Sequence, residues 1–250
     1  MDDRVAVLPA GQPPGFPQCA ICPYRLMGPA RICVACAGRT LEAIASRSCA
    51  ICSQRLEGDS ACRNTLCRDP HRRIERIDAI AYHSGPIQDK IHAYKYQGKV
   101  GWSLIFGRLV VGWLEAHARD DPADLIVANP TYVGPGQPGP GHIEAIIRAA
   151  ATADYDGRWP FDVHAPAAII KTQATDRSAG RGFAEKRITA AALREILNIP
   201  DRSRTAGRSI LVFDDVCTTG SQLDAVADCL LREGRAARVC GLALARAPWR

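Results

Sequence analysis

One short stretch constrains this chain more than any other. Four apolar residues, Ile210 to Phe213, run straight into two adjacent carboxylates, Asp214 and Asp215. A short apolar run ending in charge reads as a buried parallel strand whose carboxyl end reaches water. A turn follows, Thr218-Thr219-Gly220-Ser221, and then the helical pattern of Ser221 to Arg232. In open α/β sheets such strand-to-helix turns are where ligands bind. Backbone N–H groups and hydroxyls at the helix start can cradle a phosphate, and Gly220 lets the backbone approach it. Two acids beside a phosphate cradle contradict a plain anion site. They suit a ribose 5-phosphate, with the turn on the phosphate and the carboxylates on the ribose hydroxyls. The bland alternative is that Asp215 and Thr219 only cap a helix.

The neighbouring segments repeat the strand-and-helix alternation. Ile77 to Tyr82, Leu125 to Ala128, Ala167 to Ile170, Ser209 to Phe213 and Val239 to Leu244 read as strands. Ile87 to Gln97, Trp102 to His117, His142 to Ala151 and Ser221 to Arg232 read as helices, and the Gly/Pro-rich Val133 to Gly141 as a loop. The pattern predicts an α/β fold with a mostly parallel sheet flanked by helices.

Cysteine usage sets the second constraint. The chain has 11 cysteines, eight of them between Cys19 and Cys67. Cys19 and Cys22 pair with Cys33 and Cys36, and Cys49 and Cys52 with Cys62 and Cys67, each pair of turns able to offer four thiolates to one tetrahedral ion. The start of the chain has neither the basic residues nor the apolar stretch of a secretory signal, and no apolar run is long enough to cross a bilayer. A cytoplasmic location, with reduced thiols, is therefore expected, and it favours two structural Zn2+ ions over disulfides or redox pairs. The ligand grouping could be crossed, and His71 could replace Cys67. Residues 15–75 carry nine arginines and five acids; eight thiolates and two Zn2+ bring the loaded module close to neutral, which argues against a dominant nucleic-acid footprint. The charged Arg68 to Arg76 reads as the connection onward. The division is a tail at 1–14, a double zinc-ribbon module at 15–75, and an α/β domain at 76–250.

The stretch around Asp214 and Asp215 resembles the binding motif for phosphoribosyl pyrophosphate (PRPP) of type I phosphoribosyltransferases. Cysteine pairs placed ahead of it resemble the layout of the competence-associated ComF family. Ile91 to Gly98 is similar to that family's lysine-tyrosine-glycine element, Asp124 to Pro130 to its strand ending in proline, and Lys171 to Thr175 to its Thr-x-x-Gln segment. The chain departs where the family has Arg-Gly-Phe-Asn, carrying Gly141-His142-Ile143-Glu144 instead, while Arg181-Gly182-Phe183-Ala184 falls too far downstream. Gln222 stands where a hydroxyl residue is usual.

The resemblance implies a type I phosphoribosyltransferase-like domain that binds PRPP with Mg2+ and passes phosphoribosyl to an unidentified acceptor, releasing pyrophosphate. Asp214 and Asp215 would serve at the ribose; Thr218, Thr219, Gly220, Ser221 and Gln222 would hold the 5-phosphate. Asn129 and Lys171 would face the pyrophosphate, although Lys171 reads equally well as a surface lysine. Lys95, with Tyr94 and Tyr96, belongs either to a hood over the site or to an ordinary helix surface. The second functional reading is a non-catalytic module that senses PRPP or a nucleotide and contacts protein or DNA through the zinc ribbons. Cys217, Cys229 and Cys240 are expected in the core.

Overall fold

Apolar residues alternate along the central strand, and each alternate set meets its own layer of helices. The computed structural model describes residues 41–57, 61–118, 121–132, 140–174 and 192–248. The expected tail at 1–14 and the loop residues 133–139 lie outside them. Strands β1 (Ile77–Tyr82), β2 (Leu125–Ala128), β5 (Ser209–Cys217) and β6 (Arg238–Arg246) form a wholly parallel sheet in the order β1-β6-β5-β2. Strands β3 (Ile170–Lys171) and β4 (Leu197–Asn198) form a separate antiparallel pair.

On one face of β5, Leu211 and Phe213 join Leu242 and Leu244 of β6. They pack against helices α2 (Gly85–Tyr96), α3 (Trp102–His117) and α4 (His142–Ala153) through Ile91, Phe106, Val110 and Ile147. On the other face, Ile210 and Val212 meet α5 (Ser221–Arg232) through Val226 and Leu230, together with Ile74 and Ile77. Both faces are covered, as parallel sheets require. Gly107 permits the close crossing of α3 and α4, since a Cβ there would lie 2.6 Å from the Ala150 backbone nitrogen.

Ile77–Tyr82, Trp102–His117, Leu125–Ala128 and Ser221–Arg232 recur with the expected bounds, the other expected elements are shifted or extended, and two differences bear on the site. Strand β5 does not stop at Phe213: it continues through both carboxylates to Cys217, because β6 keeps pairing with it (Asp214 with Ala243, Val216 with Ala245, Cys217 with Arg246). The charged segment before β1 is docked as well as connecting. The N–H groups of Arg73 and Ile74 donate to Asp224 Oδ1 on α5 at 2.6 and 3.0 Å, and Glu75 N–H donates to Val239 O. Asp224 and Asp228 are buried on α5, yet the paired N–H groups, Arg73 and Arg194 compensate their charge. Cys217, Cys229 and Cys240 are buried, as expected. No helix among the described residues is long and apolar enough to cross a membrane.

Candidate functional site

Side chains alternate along a strand, so Asp214 and Asp215 leave β5 on opposite faces and meet different neighbours. Both are buried, at 7% and 3% exposure, and this corrects the expectation that they face solvent. For Asp215 the reason is a lid of basic side chains. Lys95, in the last turn of α2, places Nζ 3.0 Å from Asp215 Oδ1 and 2.9 Å from Oδ2. His142, the first residue of α4, places Nε2 3.0 Å from Oδ2. Tyr94 steadies the histidine, its hydroxyl donating to His142 O at 2.6 Å.

The two carboxyls therefore titrate apart. Burial opposes ionisation of Asp215, but His142 and Lys95 outweigh it and hold that carboxyl down at about 2. Burial and the charge of Asp215 push Asp214 up to about 7, against the pull of Lys95, the Asp215 N–H and the Asn129 side chain. Lys95 gains in turn: burial works against its charge, yet the two aspartates hold it above the usual lysine range. Burial lowers His83, just beyond β1, while Asp215 raises it.

The structure thus brings Asn129 to Asp214, with the Asn129 N–H donating to Phe213 O at 2.7 Å. Lys171 lies on β3, where burial depresses its pKa; the ammonium on the carboxylates is that of Lys95. The sequence left Lys95 two roles and gave His142 none, the signal for it being its position at the departure from the Arg-Gly-Phe-Asn element, one residue after a helix-starting Gly141.

The turn after β5 is shaped by its glycine. Gly220 is the N-cap of α5 with φ +82, and a Cβ there would sit 2.6 Å from Ile77 Cδ1 and 2.8 Å from Leu66 Cδ2. Thr219 Oγ1 accepts from Ser221 N–H at 3.3 Å and lies 3.0 Å from Ser221 Oγ. Thr218 is exposed, while Ser221 and Gln222 are half-buried at the first turn of the helix. The first N–H groups of a helix have no carbonyl partner within it, so this turn can receive an anion.

Behind the turn lie four thiols. Cys49, Cys52, Cys62 and Cys67 hold their sulfurs within 4.8 Å of one another and could bind a zinc ion. The first pair sits on a tight knuckle: Ser53 takes a positive φ of 57, its N–H donates to Cys49 O at 2.9 Å, and Cys49 N–H donates to Gln54 O at 2.8 Å. Of the second pair, Cys62 precedes the short helix α1 (Thr65–Arg68), capped by Asn64 Oδ1, and Cys67 lies within it. Cys49 and Cys67 sulfurs stand 3.7 Å apart, as do those of Cys52 and Cys62. Zn–S bonds of about 2.3 Å at tetrahedral angles give an edge of about 3.8 Å, so the cluster fits the ion. A hydrogen bond from Cys67 leads in pulling the Cys52 thiol down to about 4 despite burial, with Arg246 and Asn64 assisting. Cys19, Cys22, Cys33 and Cys36 lie outside the described residues. Compared with known proteins, the chain matches no family model and no curated protein sequence.

Proposed function

We propose that this chain is a ComF-like member of the type I phosphoribosyltransferases and binds Mg-PRPP at the carboxyl ends of β5 and β2. The observation that carries this reading is the continuous run from Asp214-Asp215 through the left-handed Gly220 turn into α5, with the Asn129 side chain, one residue past β2, bonded to Asp214. The turn takes the 5-phosphate, and the carboxylates take the ribose hydroxyls. Carboxylate oxygens are the ligand type that Mg2+ prefers, and the site's acids fit it: a cation would relieve the repulsion that holds Asp214 up. When bound, the ion would neutralise the pyrophosphate as it leaves.

The chain's own residues would perform the remaining tasks. Ionised Asp214 and Asp215 set negative charge beside the oxocarbenium-like centre that develops as the anomeric bond breaks. Asn129 orients Asp214. Lys95 and His142, which now contact Asp215, must yield it to the ribose and then stand next to the departing pyrophosphate. Zinc at the four thiols is structural.

One observation favours a second reading, a sensor that does not turn over. Asp215 is already satisfied by the Lys95 ammonium and the His142 imidazole, so ligand entry also rearranges these side chains of α2 and α4. Calorimetry with Mg-PRPP, followed by a pyrophosphate-release assay with nucleobases and amines, tests both. Micromolar binding with release marks the transferase; binding without release across the acceptor series marks the sensor. No binding by a zinc-loaded, folded protein would defeat the proposal.

A further inference from the structure

The turn after β5 is held from behind by two side chains, and each of them also touches the cysteine cluster. Arg246, fully buried at the end of β6, donates from Nη1 to Cys217 O at 2.8 Å and to Thr218 O, and from Nη2 to Cys52 Sγ at 3.7 Å. Asn64, 1% exposed between Cys62 and Cys67, donates from Nδ2 to Thr219 O at 2.9 Å and hydrogen-bonds Cys52 as well. Leu66 of α1 fills the space where a side chain at position 220 would stand.

Three consecutive carbonyls, of Cys217, Thr218 and Thr219, therefore point at the cysteine knuckle. In a planar trans peptide the N–H points opposite to the carbonyl before it. The N–H groups of Thr218, Thr219 and Gly220 are thus turned away from the knuckle. Successive N–H groups turned the same way make an anion-binding concavity. The Ala247 N–H also donates to Cys217 O at 2.9 Å, so the knuckle's own hold is on Thr219 O through Asn64 and, by bracing Arg246, on Cys217 O and Thr218 O.

We infer that the Cys49–Cys67 knuckle is a clamp that sets the peptide orientation of the turn at 217–220, with Asn64 and Arg246 as its positioning residues. The ligand it serves is a phosphate monoester; that part rests on the reading given under Proposed function. The clamp makes the zinc-type module part of the binding site's construction rather than an appendage. It also explains why an arginine lies fully buried on β6: its guanidinium faces the Cys52 sulfur and two carbonyls instead of solvent.

The test is Asn64→Ser in the full-length, zinc-loaded protein. Serine keeps a capping oxygen for α1 and removes the amide that reaches Thr219 O. Zinc content and the unfolding midpoint serve as controls. Hydrogen exchange of the amides at 217–222 should quicken about tenfold or more, the scale expected from leaving one buried carbonyl unpaired. Exchange in α3 should not change. Mg-PRPP affinity should drop by a similar factor. Arg246→Lys keeps a cation and a donor at the same carbonyls and should recover much of what Arg246→Met loses. Parental exchange at 217–222 in Asn64→Ser, with zinc retained, overturns the clamp whatever PRPP does. Faster exchange with PRPP bound by neither protein upholds the clamp and overturns the phosphoribosyl reading.

Discussion

The two halves of the candidate site are built on opposite principles. The turn at 217–220 is fixed by main-chain contacts to buried groups that no ligand would displace: Arg246, Asn64 and the two apolar side chains under Gly220. The carboxylate pair beside it is held by side chains that a ligand would displace, namely Lys95 at 23% side-chain exposure and His142 at 37%. A phosphate can enter a preformed cradle with little reorganisation, whereas a ribose must take Asp215 from its present partners. The site is rigid where it would grip and adjustable where it would react. That arrangement suits a ligand bound by one end first.

The comparison can be broken at its stiffest point. Gly220→Ala forces a left-handed conformation on a residue with a Cβ and drives that carbon into Leu66 and Ile77. The two effects together should cost about 3 kcal/mol in denaturant unfolding. A loss below about 1 kcal/mol would mean the turn is not preformed.

Asp215→Asn comes next. It strands the Lys95 ammonium, and because that ammonium is partly solvated the loss should be about 2 kcal/mol, less than for a fully buried pair. The fold therefore does not escape this substitution, even though its charge serves a ligand. Asp214→Asn should behave differently. Its carboxyl is raised to about 7, so near pH 4, where it is largely neutral, amide replacement should leave stability unchanged within about 0.5 kcal/mol, and toward neutrality the variant should become the more stable of the two. It should still weaken Mg-PRPP at least tenfold, since the ligand needs the charged form. Equal destabilisation by both changes would erase the distinction between the two acids.

The smallest effect sharpens the same distinction through pH. A carboxyl raised in the folded state binds more protons there than in the unfolded chain between about pH 4 and 7. Stability then falls as pH rises across that window. Asp215, lowered to about 2, acts oppositely: its contribution is present above about pH 4 and fades as pH drops toward 2. Unfolding midpoints of the parent and Asp214→Asn from pH 4 to 8 should converge at the acid end and separate at neutrality, with the variant flatter. Parallel curves would contradict the raised carboxyl.

The sheet was legible because its strands are short apolar runs ended by turn residues, and Ile77–Tyr82 and Leu125–Ala128 keep the expected bounds. The end of β5 was not. Adjacent aspartates look like the place where a strand meets water, and only pairing with β6 and the neutralising Lys95 keep the strand going. Lys95 and Asp215 are 120 residues apart, a contact that spacing cannot reveal. Asn64 could be seen as a helix cap between cysteines, but its second hydrogen bond reaches across the fold. Arg246 gave no signal, because an arginine closing a strand reads as a solvent-facing end. The buried acids Asp224 and Asp228 were hidden in the same way, in a helix whose polar residues suggested exposure.

The clamp also has an order in time. Asn64 and Thr219 are 155 residues apart, and Cys52 and Arg246 are 194 apart. At a synthesis rate of about 5–20 residues per second, the four cysteines leave the ribosome roughly 10–40 seconds before the arginine that completes their setting. During that interval the thiols must take up metal, or be kept from oxidation, without the protein that later buries them. The turn at 217–220, by contrast, emerges almost together with β6 and meets a knuckle already waiting. A chain cut short before Arg246 would leave its cysteines without their cationic neighbour and its turn without two of its donors, so translation has to pass Arg246 before either half of the clamp can hold the other.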